Sequence, residues 1–151
     1  MTAHLAGSTL GHMENIHATC IDIDGDGVLL RGPSGCGKSD LALRLIDTGA
    51  RLVADDRTDV SLVDGQLVAS APAALAGRLE VRGIGILNIG AIPKSPVALI
   101  IELVSPEDVE RLPDPITQDI LGIALPLLRL SPFEASAPAK VRAALKYSAA
   151  L

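Results

Sequence analysis

The sequence predicts an α/β fold in which a mixed β-sheet carries flanking helices, and three observations predict it. Short apolar, partly alternating runs recur along the chain with turn residues between them. One of these runs, residues 27–31, leads straight into GPSGCGKS, after which apolar residues return at helical spacing. Strand-like runs also outnumber helix-like ones, which favours a mixed sheet over a purely parallel one.

The elements follow in order. Residues 16–23 and 27–31 read as two strands, joined by a tight turn within DIDGDG. From Ser39 a helix is predicted, with Leu41, Ala42, Leu45 and Ile46 on one face, Asp40, Arg44 and Asp47 on the other, and Gly49 as its C-terminal cap. ARLVADD, residues 50–56, reads as a buried strand ending in two acids. Residues 59–71 read as a hairpin turning at Asp64 and Gly65. LEVRGIGILNI (79–89) and PVALIIELV (96–104) read as one strand each. AKVRAALKY (139–147) reads as a helix that buries Val141, Ala144 and Leu145. The proline-rich stretches 105–115 and 131–138 read as loops.

Composition narrows the function. A chain of 151 residues suits one domain, predicted over residues 14–151 and burying roughly 68–70% of its extended surface. Residues 1–13 hold no Lys or Arg and make a poor secretory signal, so a flexible N-terminus is expected there. The formal charge of −5 argues against nucleic-acid binding. Phe133 and Tyr147 are the only aromatic residues, so an adenine ring is expected to rest against aliphatic side chains. Cys20 and Cys36 are too few for a disulfide framework, and a reducing cytoplasm fits them. The uncharged apolar runs 83–93 and 120–128 fall short of the ~18 residues of a membrane helix.

Gly32, Gly37, Lys38 and Ser39 satisfy G-x-x-x-x-G-K-[ST], between a predicted strand and a predicted helix. The spacing has a physical reason. Glycines let the backbone curl its N–H groups inward, the helix N-terminus adds positive potential, the lysine reaches the β and γ phosphates, and the hydroxyl ligates Mg²⁺. The nucleotide cradle is therefore read as Gly32, Pro33, Ser34, Gly35, Cys36, Gly37, Lys38 and Ser39. A second part of such a site is an acid ending a neighbouring strand, and Asp55 and Asp56 supply two. One would assist the metal through water and the other act as a base. Neither the N-K-x-D of guanine recognition nor the L-S-G-G-Q of transporter ATPases is present, which favours a kinase.

Several stretches together resemble the catalytic domain of bacterial HPr kinase/phosphorylase, a family that phosphorylates a serine of the phosphocarrier HPr. They are the strand around His17, GPSGCGKSD, LIDTGARLVADDRTDV, APAALAGRLEVRGIGI and the apolar strand after it, over roughly residues 15–103. The resemblance implies a cytoplasmic P-loop protein serine kinase using ATP and Mg²⁺. In it Ser39 and Glu80 would meet the metal, Asp56 would exchange a proton with the acceptor serine, and His17 would be an active-site histidine. Arg82, alternating onto the strand face of Glu80, would approach the phosphates. The long family members carry a further N-terminal domain and form hexamers, which makes a core-only form and a homo-oligomer the corresponding expectations. The family also runs a reverse reaction in which inorganic phosphate attacks phosphoserine. That activity is expected to be weak here, because between Arg82 and Arg111 the only cation is Lys94.

Three other features take simpler readings. DIDGDG has the early acids of a calcium loop, but position twelve is Pro33 rather than a bidentate glutamate, so a polar hairpin turn is expected. Cys36 reads as a small side chain at a variable loop position. Lys140, Arg142 and Lys146 read as a solvated helix face, with docking of a protein substrate as the alternative. For the function itself, a small-molecule kinase and a non-catalytic nucleotide-sensing module are the alternatives to a protein kinase.

Overall fold

A computed structural model describes residues 13–147. Its strands are β1 (Met13–Ile16), β2 (Ala18–Ile23), β3 (Asp26–Arg31), β4 (Arg51–Ala54), β5 (Thr58–Val63), β6 (Gln66–Ser70), β7 (Arg78–Val81), β8 (Gly85–Asn88), β9 (Ser95–Leu103), β10 (Ile116–Ile120) and β11 (Ile123–Leu130). The helices are α1 (Lys38–Asp47) and α2 (Ala137–Lys146). The flexible segment expected over residues 1–13 falls outside the described residues except for Met13, which opens β1.

One sheet runs β1-β5-β6-β9-β3-β2-β4, and β11 also pairs with β9 and carries β10. It is mixed, as expected: β9 is parallel to β3 and β11, while β2 is antiparallel to both β3 and β4. Alternation along the central strands feeds two cores. Ile21, Val28, Leu30, Leu99 and Ile101 face α1 and α2. Cys20, Leu29, Val53, Ile100 and Leu127 face the other way, where β5 and β6 contribute Val60, Leu67 and Ala69. Both helices thus lie on one face, and the sheet curls over to cover its own second face.

Turn chemistry sets the registers. β2 and β3 are joined by Asp24 and Gly25, β5 and β6 by Asp64 and Gly65, and β10 and β11 by Leu121 and Gly122. All six residues have positive φ, between 51° and 94°, as two-residue hairpins of the type I′ class require. The polar-turn reading of DIDGDG therefore holds. The β10–β11 hairpin escaped the sequence reading because leucine at φ 51° is not a turn signal. Residues 79–89 form the two strands β7 and β8 rather than one, because Ile84 N–H closes a turn on the Val81 carbonyl with Gly83 at φ 91°. Residues 16–23 likewise divide, at His17, where the chain leaves β5 for β3 and β4.

The C-terminus of α1 is closed as predicted. Gly49, at φ 113°, donates to the Ile46 carbonyl and Ala50 to that of Leu45, the two bonds of a Schellman cap. Arg142 of α2 adds donors to Leu45 O and Thr48 O, so this side chain ties the helices together instead of facing solvent as a docking cation. Truncation should report the central core. Leu30→Ala, at a fully buried site in β3, is expected to lose about 2–5 kcal/mol in urea unfolding. Leu112→Ala, at an 82% exposed site, should stay within about 0.5 kcal/mol of the parent.

Candidate active site

β3 ends at Arg31, and residues 32–37 form a loop that enters α1. Gly32, Gly35 and Gly37 have φ 154°, 80° and 108°, values that side-chain-bearing residues rarely adopt. A Cβ on Gly32 would lie 2.5 Å from Cys36 Sγ, and one on Gly37 would lie 2.9 Å from Phe133 Cζ. Side chains at Gly32 and Gly37 would clash with these neighbours, whereas one at Gly35 would meet only open space. At the end of the loop α1 starts without a side-chain cap, so its first amides face the cradle end with the positive end of the helix dipole behind them. Lys38 is 6% exposed and folds back over the loop, donating to Gly32 O at 2.7 Å and Pro33 O at 3.1 Å.

The two acids after β4 separate. Asp55 is 7% exposed, and its carboxylate accepts three hydrogen bonds. Ser39 Oγ donates to Oδ1 at 2.8 Å, Thr19 Oγ1 to the same oxygen at 2.9 Å, and Glu80 N–H to Oδ2 at 3.0 Å. Asp56 points out, its side chain 65% exposed, with Oδ1 3.1 Å from His17 Nε2. An ionised carboxylate can only accept, so in this pair Nε2 carries the hydrogen.

Backbone irregularities create that pair. β1 pairs with β5 up to Ile16 and Thr58, whereas β2 pairs with β4 from Cys20 and Ala54. The intervening residues, 17–19 on one side and 55–57 on the other, leave the ladder. Arg57 N–H bonds the Asp55 carbonyl at 2.8 Å with Asp56 between them at φ 68°, the strained form of γ-turn with a positive central φ. Thr19 holds it: its hydroxyl donates to Asp55 and accepts from Asp56 N–H at 3.2 Å. Thr58 Oγ1 bonds the Ala18 carbonyl from the next strand.

The structure thus brings Ser39, Thr19 and the Glu80 backbone to the Asp55 carboxylate, with His17 and Asp56 beside it and Lys38 folded over the adjacent loop. Arg82 lies apart from the strand face expected for it. It falls in the β7–β8 turn, is exposed, and forms no ion pair among the described residues. Thr19 was missed by the sequence reading; its one signal is a hydroxyl in a run that is otherwise apolar up to Asp22. Cys20, under the same strand, is completely buried, and burial pushes its thiol well above the ordinary range, leaving it inert. The cradle itself is open to solvent. Two concavities of about 600 and 370 Å³ lie away from it, around Gly77, Asn88 and Ile92 and around Ile46, Arg51 and Ile92.

Strand, glycine cradle and uncapped helix, with a buried carboxylate on the hydroxyl that follows the loop lysine, define a P-loop type of domain. The chain belongs to the HPr Serine kinase C-terminal domain family, whose model matches residues 8–141. It is 41% identical over 143 residues to the HPr kinase/phosphorylase of Verminephrobacter eiseniae, covering 86% of this chain and 43% of that one. With the HPr kinase/phosphorylase of Clostridium tetani it shares 39% identity over 119 residues, covering 72% and 39%. The chain therefore spans about two fifths of the length of these relatives. Among solved structures, the Hpr(Ser) kinase/phosphatase from Coxiella burnetii superposes with a TM-score of 0.77 at 33% identity, covering 88% of each chain. No helix among the described residues is long and apolar enough to cross a membrane.

The Thr19 hydroxyl is the joint between the two acids, and Thr19→Val removes it while keeping the side chain's shape. Urea unfolding should show a loss of about 1–3 kcal/mol, because the Asp56 amide loses its partner and Asp55 loses a donor.

Proposed function

We propose that the chain is an ATP- and Mg²⁺-dependent protein serine kinase acting on HPr or a related phosphocarrier protein. The observation that carries the reading is the division of labour between adjacent acids, Asp55 buried against Ser39 and Asp56 exposed on His17. ATP supplies the phosphoryl group and Mg²⁺ neutralises its charge. Residues 32–39 would hold the phosphates through backbone amides and the Lys38 ammonium, which sits within reach of the loop carbonyls it now bonds. Ser39, Asp55 and Glu80 offer only hard oxygen donors, the set that suits Mg²⁺, which keeps several waters and takes one or two carboxylates besides phosphate.

Asp56 takes the proton of the acceptor serine hydroxyl. Its Oδ1 is held by His17 and its Oδ2 is left for the hydroxyl. Orientation by His17 and the fixed γ-turn place the base before the acceptor arrives, so little reorganisation is needed during transfer. Arg82, in the β7–β8 turn one residue beyond the strand that holds Glu80, would lend positive charge toward the phosphates. The kinase direction rests on Asp56, whereas the reverse attack by phosphate needs more cation than Arg82 and the exposed Lys94 provide. Oligomerisation and a cytoplasmic location accompany this reading as expectations from the resemblance.

Incubation with labelled ATP, Mg²⁺ and either HPr or a metabolite pool tests the reading. Label on a serine of HPr is expected. Label in a small molecule would show a metabolite kinase, and nucleotide binding without transfer a sensing module. Asp56→Asn should retain ATP affinity while the transfer rate falls by roughly 10²- to 10⁴-fold. Lys38→Ala should lose both, since its charge faces the phosphates in ground and transition states alike.

A further inference from the structure

We infer that Phe133 is the platform for the purine base of the bound nucleotide, a role that deepens the kinase reading and rests on it. Only two aromatic side chains exist in this chain, and Tyr147 lies at the far end of α2 beside Lys146, 5.4 Å from its ammonium. Phe133 instead stands at the phosphate cradle. Its Cζ comes within 2.9 Å of where a Cβ on Gly37 would be, with Pro132 Cβ at 3.0 Å, so the ring lies in contact with the residue that starts α1. Yet the ring is 67% exposed, and a phenylalanine left in water forgoes the free energy of burying its apolar surface.

Position within the sheet supports a base rather than a phosphate neighbour. Asp55, Asp56 and His17 lie on the β4 and β2 flank of β3, whereas Phe133 follows β11, beyond β9 on the opposite flank. A nucleotide whose terminal phosphate points to Asp56 must extend away from that flank, and the loop after β11 is what it meets. The backbone that carries the ring is also held before any ligand binds. Arg44 of α1 donates to the carbonyls of Pro132 and Glu134 on either side of it, while pairing with Asp40 at 3.0 Å, and Lys140 holds the Glu134 carboxylate at 2.6 Å. A solvent-facing aromatic on a fixed backbone has only its own two side-chain torsions to order on stacking and accepts any base through its π-face. On this assignment the base rests on an aromatic side chain rather than on aliphatic ones.

Titration calorimetry with Mg²⁺·ATP and with Mg²⁺·tripolyphosphate, which has the phosphates without a base, tests the assignment. Phe133→Ala should bind ATP roughly 5- to 100-fold more weakly and tripolyphosphate as the parent does. Phe133→Trp should keep ATP affinity and, in a chain with no other tryptophan, its fluorescence should be quenched by ATP but not by tripolyphosphate. Equal ATP affinity in Phe133→Ala and the parent overturns the assignment and leaves the kinase reading standing. So does an equal weakening toward both ligands, or an effect confined to the KM of the protein acceptor. A parent chain that binds tripolyphosphate and ATP equally well also overturns it, and one that binds neither overturns the kinase reading as well.

Discussion

The carboxylate of Asp55 is the point on which the site depends. Four separate stretches of chain meet there: β4, which ends at it; β2 through Thr19; the start of α1 through Ser39; and β7 through the Glu80 amide. A buried carboxylate is stable only when its lone pairs are occupied, and here three donors occupy them. No single donor fixes the geometry. Together they fix the distance between phosphate loop and sheet, the orientation of the Ser39 hydroxyl and the approach of the β7–β8 hairpin, and each is within two residues of a group proposed to act on substrate.

Asp56 is placed by that same anchor and spends its side chain differently. With Asp55 turned inward, the chain kinks before β5 continues alongside β1, and it does so in a three-residue turn whose central φ of 68° is unfavourable for a residue with a Cβ. Strain of this kind, on the order of 1–3 kcal/mol, persists only where neighbours over-determine it, and Thr19, Thr58 and the β1–β5 ladder do so. The result is an exposed carboxylate with a fixed direction. Lys38 shows the complementary arrangement, a buried ammonium satisfied by loop carbonyls and poised beside the backbone amides of the cradle. Rigid acid on one side and adaptable cation on the other suit a reaction in which positioning and charge neutralisation do most of the catalysis.

How much of this was legible in the sequence followed from how local each signal is. The glycine loop, the α1 face and its Gly49 cap, and the hairpins at Asp24 and at Asp64 are written in consecutive residues, and the structure has them. The β7–β8 turn was hidden because apolar residues continue through Gly83 and Gly85, so alternation alone reads as one strand. The turn at Leu121 was hidden because its positive φ is imposed by the hairpin register rather than by the residue type. The Asp55 and Asp56 pair was visible as two acids with two jobs, but which acid faces inward depends on the interruption of the pairing between residues 17–19 and 55–57. Thr19, 36 residues from Asp55, Arg142, 97 residues from its Leu45 acceptor, and Phe133 against Gly37 are long-range partners that no local pattern announces.

The buried Asp55 and the exposed Asp56 should contribute unequally to stability, and urea unfolding of Asp55→Asn measures that most directly. The amide keeps one acceptor oxygen but turns an NH₂ toward the Glu80 N–H, leaving a buried donor without a partner. A loss of about 1–3 kcal/mol is expected, against about 0.5 kcal/mol or less for Asp56→Asn at its exposed position. An Asp55→Asn chain that unfolds at the same urea concentration as the parent would contradict the central role given to this carboxylate.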